Sequence, residues 1–164
     1  MPKPPPQGSS RKAKGASLYH RVSMLPTIAW QDDVVVMIDQ RKLPSKEVYV
    51  TCRTANEVAR AIKTMVIRGA PAIGVAAAMG IALEMRRSKS KGTRLFTVDF
   101  QKTCDLLAAT RPTAVNLFWA IDRMKRTFAE VAQNGASVGE IAARLIVEAH
   151  AIHDEDVESC RAIG

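Results

Sequence analysis

The chain has 164 residues, 47% of them hydrophobic and 24% charged, enough for one domain with a packed core and too apolar for a wholly disordered chain. No apolar run reaches membrane-spanning length, the longest being the Ala- and Gly-rich stretch around Ala70–Leu83, and no secretory h-region follows Met1, so neither membrane insertion nor export is expected. The formal charge of +8 raises a nucleic-acid reading, but ten of the 24 basic residues sit in two acid-free stretches, Lys3–Arg21 and Arg86–Arg94, and the other 14 face 16 acidic residues, so nucleic acid is not an expected partner.

Residues 1–20 are rich in Pro, Gly, Ser and Lys, bury too little to offset ordering entropy, and are predicted to be a disordered basic extension. Residues 21–53 are predicted to form a small antiparallel β subdomain. Thr27–Trp30 and Val34–Ile38 are short β-branched runs around Gln31-Asp32-Asp33, a hairpin signal without the usual glycine, and Glu47–Thr51 supplies a third strand. From residue 54 the period turns helical, and a bundle is expected over 54–153. Thr54 with Glu57 forms a capping-box pattern, and Val58, Ile62, Met65 and Val66 share a face. Further helices are predicted from about Pro71 to Arg87, from about Thr97 to Ala109, from Thr113 to near Asn134-Gly135, and from Ser137, with Glu140 as its capping-box partner, past Ala149. The fold class is therefore α+β, a small N-terminal sheet followed by a helical bundle. Residues 154–164 read as the start of a linker helix, and the helical pattern breaking off at Gly164 suggests a chain cut short. Three widely spaced cysteines, Cys52, Cys104 and Cys160, argue against a disulfide framework and for a reducing compartment. A cytoplasmic location is expected, with the basic extension a weak match to a nuclear-targeting signal.

Two segments share a design suited to anions. In Arg68-Gly69-Ala70-Pro71 and in Arg111-Pro112-Thr113-Ala114, an arginine stands just ahead of a proline and a helix start. Proline in a first turn forfeits no hydrogen bond. Helix N-termini present unpaired N–H groups and the positive end of the macrodipole, and a guanidinium adds a planar charged fork that matches phosphate oxygens. Gly69 permits close backbone approach, while Ala72, Gly74, Ala76, Ala77, Ala78 and Gly80 keep the following helix thin. Small residues at helical spacing also serve plain helix packing, and an arginine beside a helix start also serves as a solvated charge. The residues alone leave both readings open.

Met65 to Ala78, containing Ile67-Arg68-Gly69-Ala70-Pro71, resembles a signature of the methylthioribose-1-phosphate isomerases, a family shared with the regulatory subunits of translation initiation factor 2B and with ribose-1,5-bisphosphate isomerases. Arg111-Pro112-Thr113-Ala114-Val115-Asn116-Leu117 resembles their second signature, and Ile38-Asp39-Gln40-Arg41-Lys42-Leu43-Pro44 an early stretch. Asp156 to Gly164 is similar to the segment leading into their second domain. The resemblance runs from about residue 20 to the end. It implies interconversion of 5-methylthioribose 1-phosphate and 5-methylthioribulose 1-phosphate in methionine salvage, without cofactor or metal. Arg68, Gly69, Ala70 and Arg111 are then substrate-binding residues. The 1-phosphate blocks simple ring opening, so the furanose must be opened by general acid catalysis before hydrogen moves from the neighbour of C1. A cysteine and an aspartate form the family's catalytic pair. Both belong to a second, Rossmann-like α/β domain, expected beyond Gly164, which also carries most of a homodimer contact.

On this reading the chain holds no catalytic residue. Cys160 does not fit, since the family's cysteine lies in a Thr-His-Cys-Asn-type stretch, and Asp122 falls mid-helix beside Arg123. His150, His153, Asp154 and Cys160 are too loosely spaced for a metal and read as a solvated helix end. Trp30, Phe118 and Trp119 read as core or interdomain packing. The rival readings are a non-catalytic regulatory subunit of the initiation factor, which binds partners and turns nothing over, and a ribose-1,5-bisphosphate isomerase.

Overall fold

A computed structural model describes residues 27–164; the predicted extension over 1–20, and the first residues of the predicted β subdomain, lie outside them. Strands β1 (Ile28–Gln31), β2 (Val34–Ile38) and β3 (Tyr49–Cys52) form an antiparallel sheet in the order β1-β2-β3. The β1–β2 register pairs Gln31 with Val34, leaving Asp32 and Asp33 as a two-residue turn. Both take positive φ, 47° and 58°, the conformation that usually calls for glycine and that short polar Asp side chains tolerate. The hairpin therefore forms without the missing glycine.

Five helices follow among the described residues: α1 (Ala55–Lys63), α2 (Ala70–Arg87), α3 (Thr93–Ala108), α4 (Val115–Gln133) and α5 (Val138–Ile163). Their outer starts agree with local chemistry. Thr54 caps α1 by accepting the Glu57 N–H at 3.2 Å, and Ser137 with Glu140 closes a full capping box on α5. Helix α5 continues unbroken through residue 154 to Ile163.

The centre of the bundle is α2, which packs against the other four helices and against β1 and β2. This explains its composition. From Ile73 to Leu83 every residue is buried, so the helix has no solvent face on which to place charge. Thinness has a measurable cause: a Cβ on Gly74 would stand 2.8 Å from the backbone oxygen of Asn116 in α4, and one on Gly80 would stand 3.1 Å from the Val58 side chain in α1.

Three sequence expectations need correction. Met65 is not on the buried face of α1. That helix ends at Lys63, Met65 takes φ 62°, and its side chain turns out to 43% exposure, while Val58, Ile62 and Val66 are buried. Helix α3 begins at Thr93 rather than near Thr97, because its first turns carry the exposed apolar residues Leu95 and Val98, which blur the amphipathic period. Thr113 does not cap α4: an Ala114 N–H to Arg111 C=O bond of 3.0 Å closes a turn over Arg111–Ala114, and the helix opens at Val115.

Candidate functional site

The segment Arg68-Gly69-Ala70 lies at the exposed start of α2. Gly69 is the N-cap, at φ 95°, with nothing within 4 Å of the position a Cβ would occupy. That conformation requires glycine, and the open space leaves the first-turn N–H groups accessible to a ligand. The backbone N–H of Arg68 donates to Gln40 Oε1 at 2.9 Å, and the Gln40 N–H donates to the Val66 carbonyl at 2.9 Å. Gln40 thus holds the backbone of the approach to α2 at two points, without engaging the exposed Arg68 guanidinium.

Gln40 follows Asp39, which is buried and receives Nε and Nη2 of Arg41, each at 2.8 Å, as well as the Arg41 backbone N–H at 3.2 Å. The Arg41 guanidinium outweighs the effect of burial and holds the Asp39 carboxyl below the usual carboxylate range. A carboxyl whose pKa is lowered by folding stabilises the fold above its unfolded-state pKa, and that contribution disappears as pH falls through the folded value. Asp39→Asn is therefore expected to lower Tm at pH 7, with the gap from the parent protein narrowing below about pH 4. Thermal unfolding at a series of pH values tests this; a gap of constant size down to pH 3 would remove the ion pair as its cause.

Arg111 is half-buried in the turn before α4. Neither Arg68 nor Arg111 has a carboxylate within 4 Å among the described residues, and neither α2 nor α4 has a side-chain cap; α3, opening after Gly92, is likewise uncapped. The structure brings the beginnings of α2 and α4 together, Gly74 touching Asn116. Beside this contact is a cavity of about 420 Å³, lined by Pro71, Gly74 and Val75 of α2, Asn116 and Trp119 of α4, and Ile152, Glu155, Asp156 and Ser159 of α5. The arginine side chains are not among the lining groups. Arg68 precedes Pro71 by three residues and Arg111 precedes Asn116 by five. Two uncapped helix starts with two flanking guanidiniums suit a small phosphorylated ligand.

The other basic stretch is remote from this point. Arg86 to Arg94 connects α2 to α3, at the far end of an 18-residue helix roughly 27 Å long, and Arg86 pairs with Asp33 at 3.5 Å. Burial pushes the Cys52 thiol up to about 11 and the Cys104 thiol to about 12, so both stay protonated, whereas Cys160 is exposed on α5 with its Sγ 3.9 Å from Asp156 Oδ1. Asp122 is exposed. Phe118 and Trp119 are not core residues, being 37% and 47% exposed, while Trp30 packs on the core with its ring 6.0 Å from that of His150, at an interplanar angle of 61°.

Two side chains of the site were not singled out from sequence. Gln40 acts on a residue 28 positions away, and Arg123 ties α4 to carboxylates of α5 that are 25 and 32 positions away. No local pattern encodes such pairings.

A family model described as the Initiation factor 2 subunit family matches residues 66–164. The chain is 51% identical over 142 residues to a methylthioribose-1-phosphate isomerase of Koribacter versatilis, covering 87% of this chain and 40% of that protein. It is 52% identical over 138 residues to the enzyme of the same name from Geobacter metallireducens, covering 84% of this chain and 39% of the relative. Among solved structures, 5-methylthioribose 1-phosphate isomerase from Pyrococcus horikoshii superposes with a TM-score of 0.79 at 43% identity, over 85% of this chain and 39% of that one. Subunit delta of translation initiation factor eIF-2B from A. fulgidus gives a TM-score of 0.75 at 41% identity, over 82% and 38%. The chain thus spans about two fifths of the length of the relatives it matches.

Proposed function

The chain belongs to the initiation factor 2 subunit family, and from that membership we propose that it is the substrate-binding, N-terminal part of an isomerase converting 5-methylthioribose 1-phosphate to 5-methylthioribulose 1-phosphate. The observation that carries this reading is the meeting of the α2 and α4 beginnings, both without side-chain caps, beside one cavity and behind Arg68 and Arg111. The N–H groups of Gly69 and Ala70 and the two guanidiniums hold the phosphate; the open Cβ position of Gly69 gives the phosphate oxygens room against the backbone. Fixed at that end, the sugar is oriented for ring opening and proton transfer by groups outside residues 27–164. The complete enzyme is a cytoplasmic homodimer on this reading. Identity of 51% over 142 residues and 52% over 138 residues with proteins named for this isomerase supports it.

A non-catalytic regulatory role is the second reading, favoured by the likeness to the eIF-2B delta subunit. Turnover separates the two. The full-length protein is expected to isomerise 5-methylthioribose 1-phosphate, and residues 1–164 alone to be inactive. A full-length protein without turnover would transfer the assignment to the regulatory class, and isomerisation by the isolated segment would refute the division of labour.

A further inference from the structure

Between the end of α1 and the start of α2 the chain takes positive φ twice, at Met65 (62°) and at Gly69 (95°). Glycine adopts this conformation freely, whereas the Cβ of Met65 crowds the backbone carbonyl oxygen. Helix α1 nonetheless closes on Met65. Its N–H donates to the Ile62 carbonyl at 3.2 Å and the Val66 N–H to the Ala61 carbonyl at 2.9 Å, a helix ending that ordinarily has glycine where Met65 stands. A strained turn of this kind persists only where its surroundings hold it. The buried Val66 and Ile67 side chains supply part of that hold. Beyond the Val66 carbonyl, the one backbone hydrogen bond before Gly69, among the described residues, runs from the Arg68 N–H to Gln40 Oε1.

Gln40 is a firm anchor for that bond. The preceding Asp39 is buried, its N–H donates to the Val48 carbonyl at 2.7 Å, and its carboxylate is gripped by Arg41. Gln40 itself ties its own N–H to the Val66 carbonyl, so its amide side chain starts from a fixed backbone. On the other side of Arg68, the Gly69 carbonyl accepts the Ile73 N–H at 3.0 Å and closes the first turn of α2. The Arg68 Cα therefore lies between two anchored peptide groups, one of them secured by Gln40. An exposed guanidinium already loses rotamer freedom when it grips an anion, and a wandering Cα would add to that loss.

We propose that Gln40 is a positioning residue for anion binding: by fixing the Arg68 amide, it sets the base from which that guanidinium reaches a phosphate at the α2 start. The inference rests on the phosphate reading given above. Gln40 touches no ligand in this role. Its effect passes through Arg68 and cannot exceed that of Arg68 itself.

Steady-state kinetics of the full-length protein on 5-methylthioribose 1-phosphate test this with Gln40→Met, made alone and together with Arg68→Ala. Methionine keeps the length of the side chain and removes the acceptor; the Arg68 amide is at the surface, where water replaces the lost partner. Alone, Gln40→Met is expected to raise KM about fivefold with kcat held within about twofold. In the Arg68→Ala background the same change is expected to move KM less than about twofold, because two residues acting through one contact are not additive. Gln40→Asn, an amide one methylene too short to reach, is expected to give the same rise and serves where Gln40→Met folds poorly. Unchanged KM in both Gln40 variants while Arg68→Ala raises it overturns the positioning role and leaves the phosphate reading standing. So does an equal rise in both backgrounds, or a fall in kcat as large as the rise in KM. A parent protein without turnover, or KM unmoved in Gln40→Met, Arg68→Ala and Arg111→Ala alike, overturns both.

Discussion

Arg111→Ala in the full-length protein is expected to raise KM for 5-methylthioribose 1-phosphate by about 10- to 150-fold, the loss of a charge-assisted hydrogen bond of about 1.5–3 kcal/mol. Arg68→Ala is expected to fall at the lower end of that range. The difference follows from burial: Arg111 is half-buried in the turn before α4, whereas Arg68 is exposed and better screened by solvent. Lysine at either position keeps the charge and loses the planar fork, so it is expected to recover only part of the affinity. Stability serves as the control. Neither side chain has a carboxylate partner within 4 Å among the described residues, and the anchored atom of Arg68 is its backbone nitrogen. Both alanine variants should therefore melt within about 1–2 °C of the parent. Unchanged kinetics in both variants would refute the phosphate site, and a large loss of Tm would make the arginines scaffold residues.

A different arginine is expected to dominate stability. Arg123→Ala should cost about 2–3 kcal/mol, or roughly 4–12 °C in Tm, measured by thermal or urea unfolding. The Arg123 guanidinium joins α4 to α5, with Glu148 on one side and a two-point contact with Glu155 on the other. Removing it leaves Glu148, whose side chain is only 10% exposed, with Arg144 at 3.2 Å as its one remaining partner. That partner, and the one-fifth exposure of Arg123, keep the expected cost below the 3–5 kcal/mol of a fully buried pair. Glu155→Gln is expected to cost less than about 1 kcal/mol, because that carboxylate is more than half exposed. Arg123 also lowers the Glu155 pKa by its hydrogen bonds, so whatever Glu155 contributes is present at neutral pH and fades as pH falls below the carboxylate range. An Arg123→Ala protein melting with the parent would mean that apolar packing alone seats α5 on α4.

The helix starts show where sequence reading succeeds. Thr54 with Glu57, and Ser137 with Glu140, act within four residues of chain, so their capping was legible before any fold was known. Helix α4 shows where it fails. Pro112-Thr113 has the chemistry of a helix start, yet a turn closed by Arg111 and Ala114 displaces the helix to Val115, where Gly74 of α2 lies against Asn116. Trp119, read from sequence as core or interdomain packing, is not in the core: it borders a cavity whose α5 side presents Glu155, Asp156 and Ser159 beside Ile152.

The β-branched runs, the capping pairs and the two arginine segments were enough to read an α+β fold with a thin helix and candidate phosphate groups, since each depends on residues a few positions apart. The tertiary structure alone settled that the α2 and α4 beginnings adjoin, that Gln40 pins Arg68 from 28 residues away, and that Arg123 is held between two carboxylates of α5. Those relations come from packing the sheet and the other helices around α2, which brings together side chains whose separation along the chain carries no period to read.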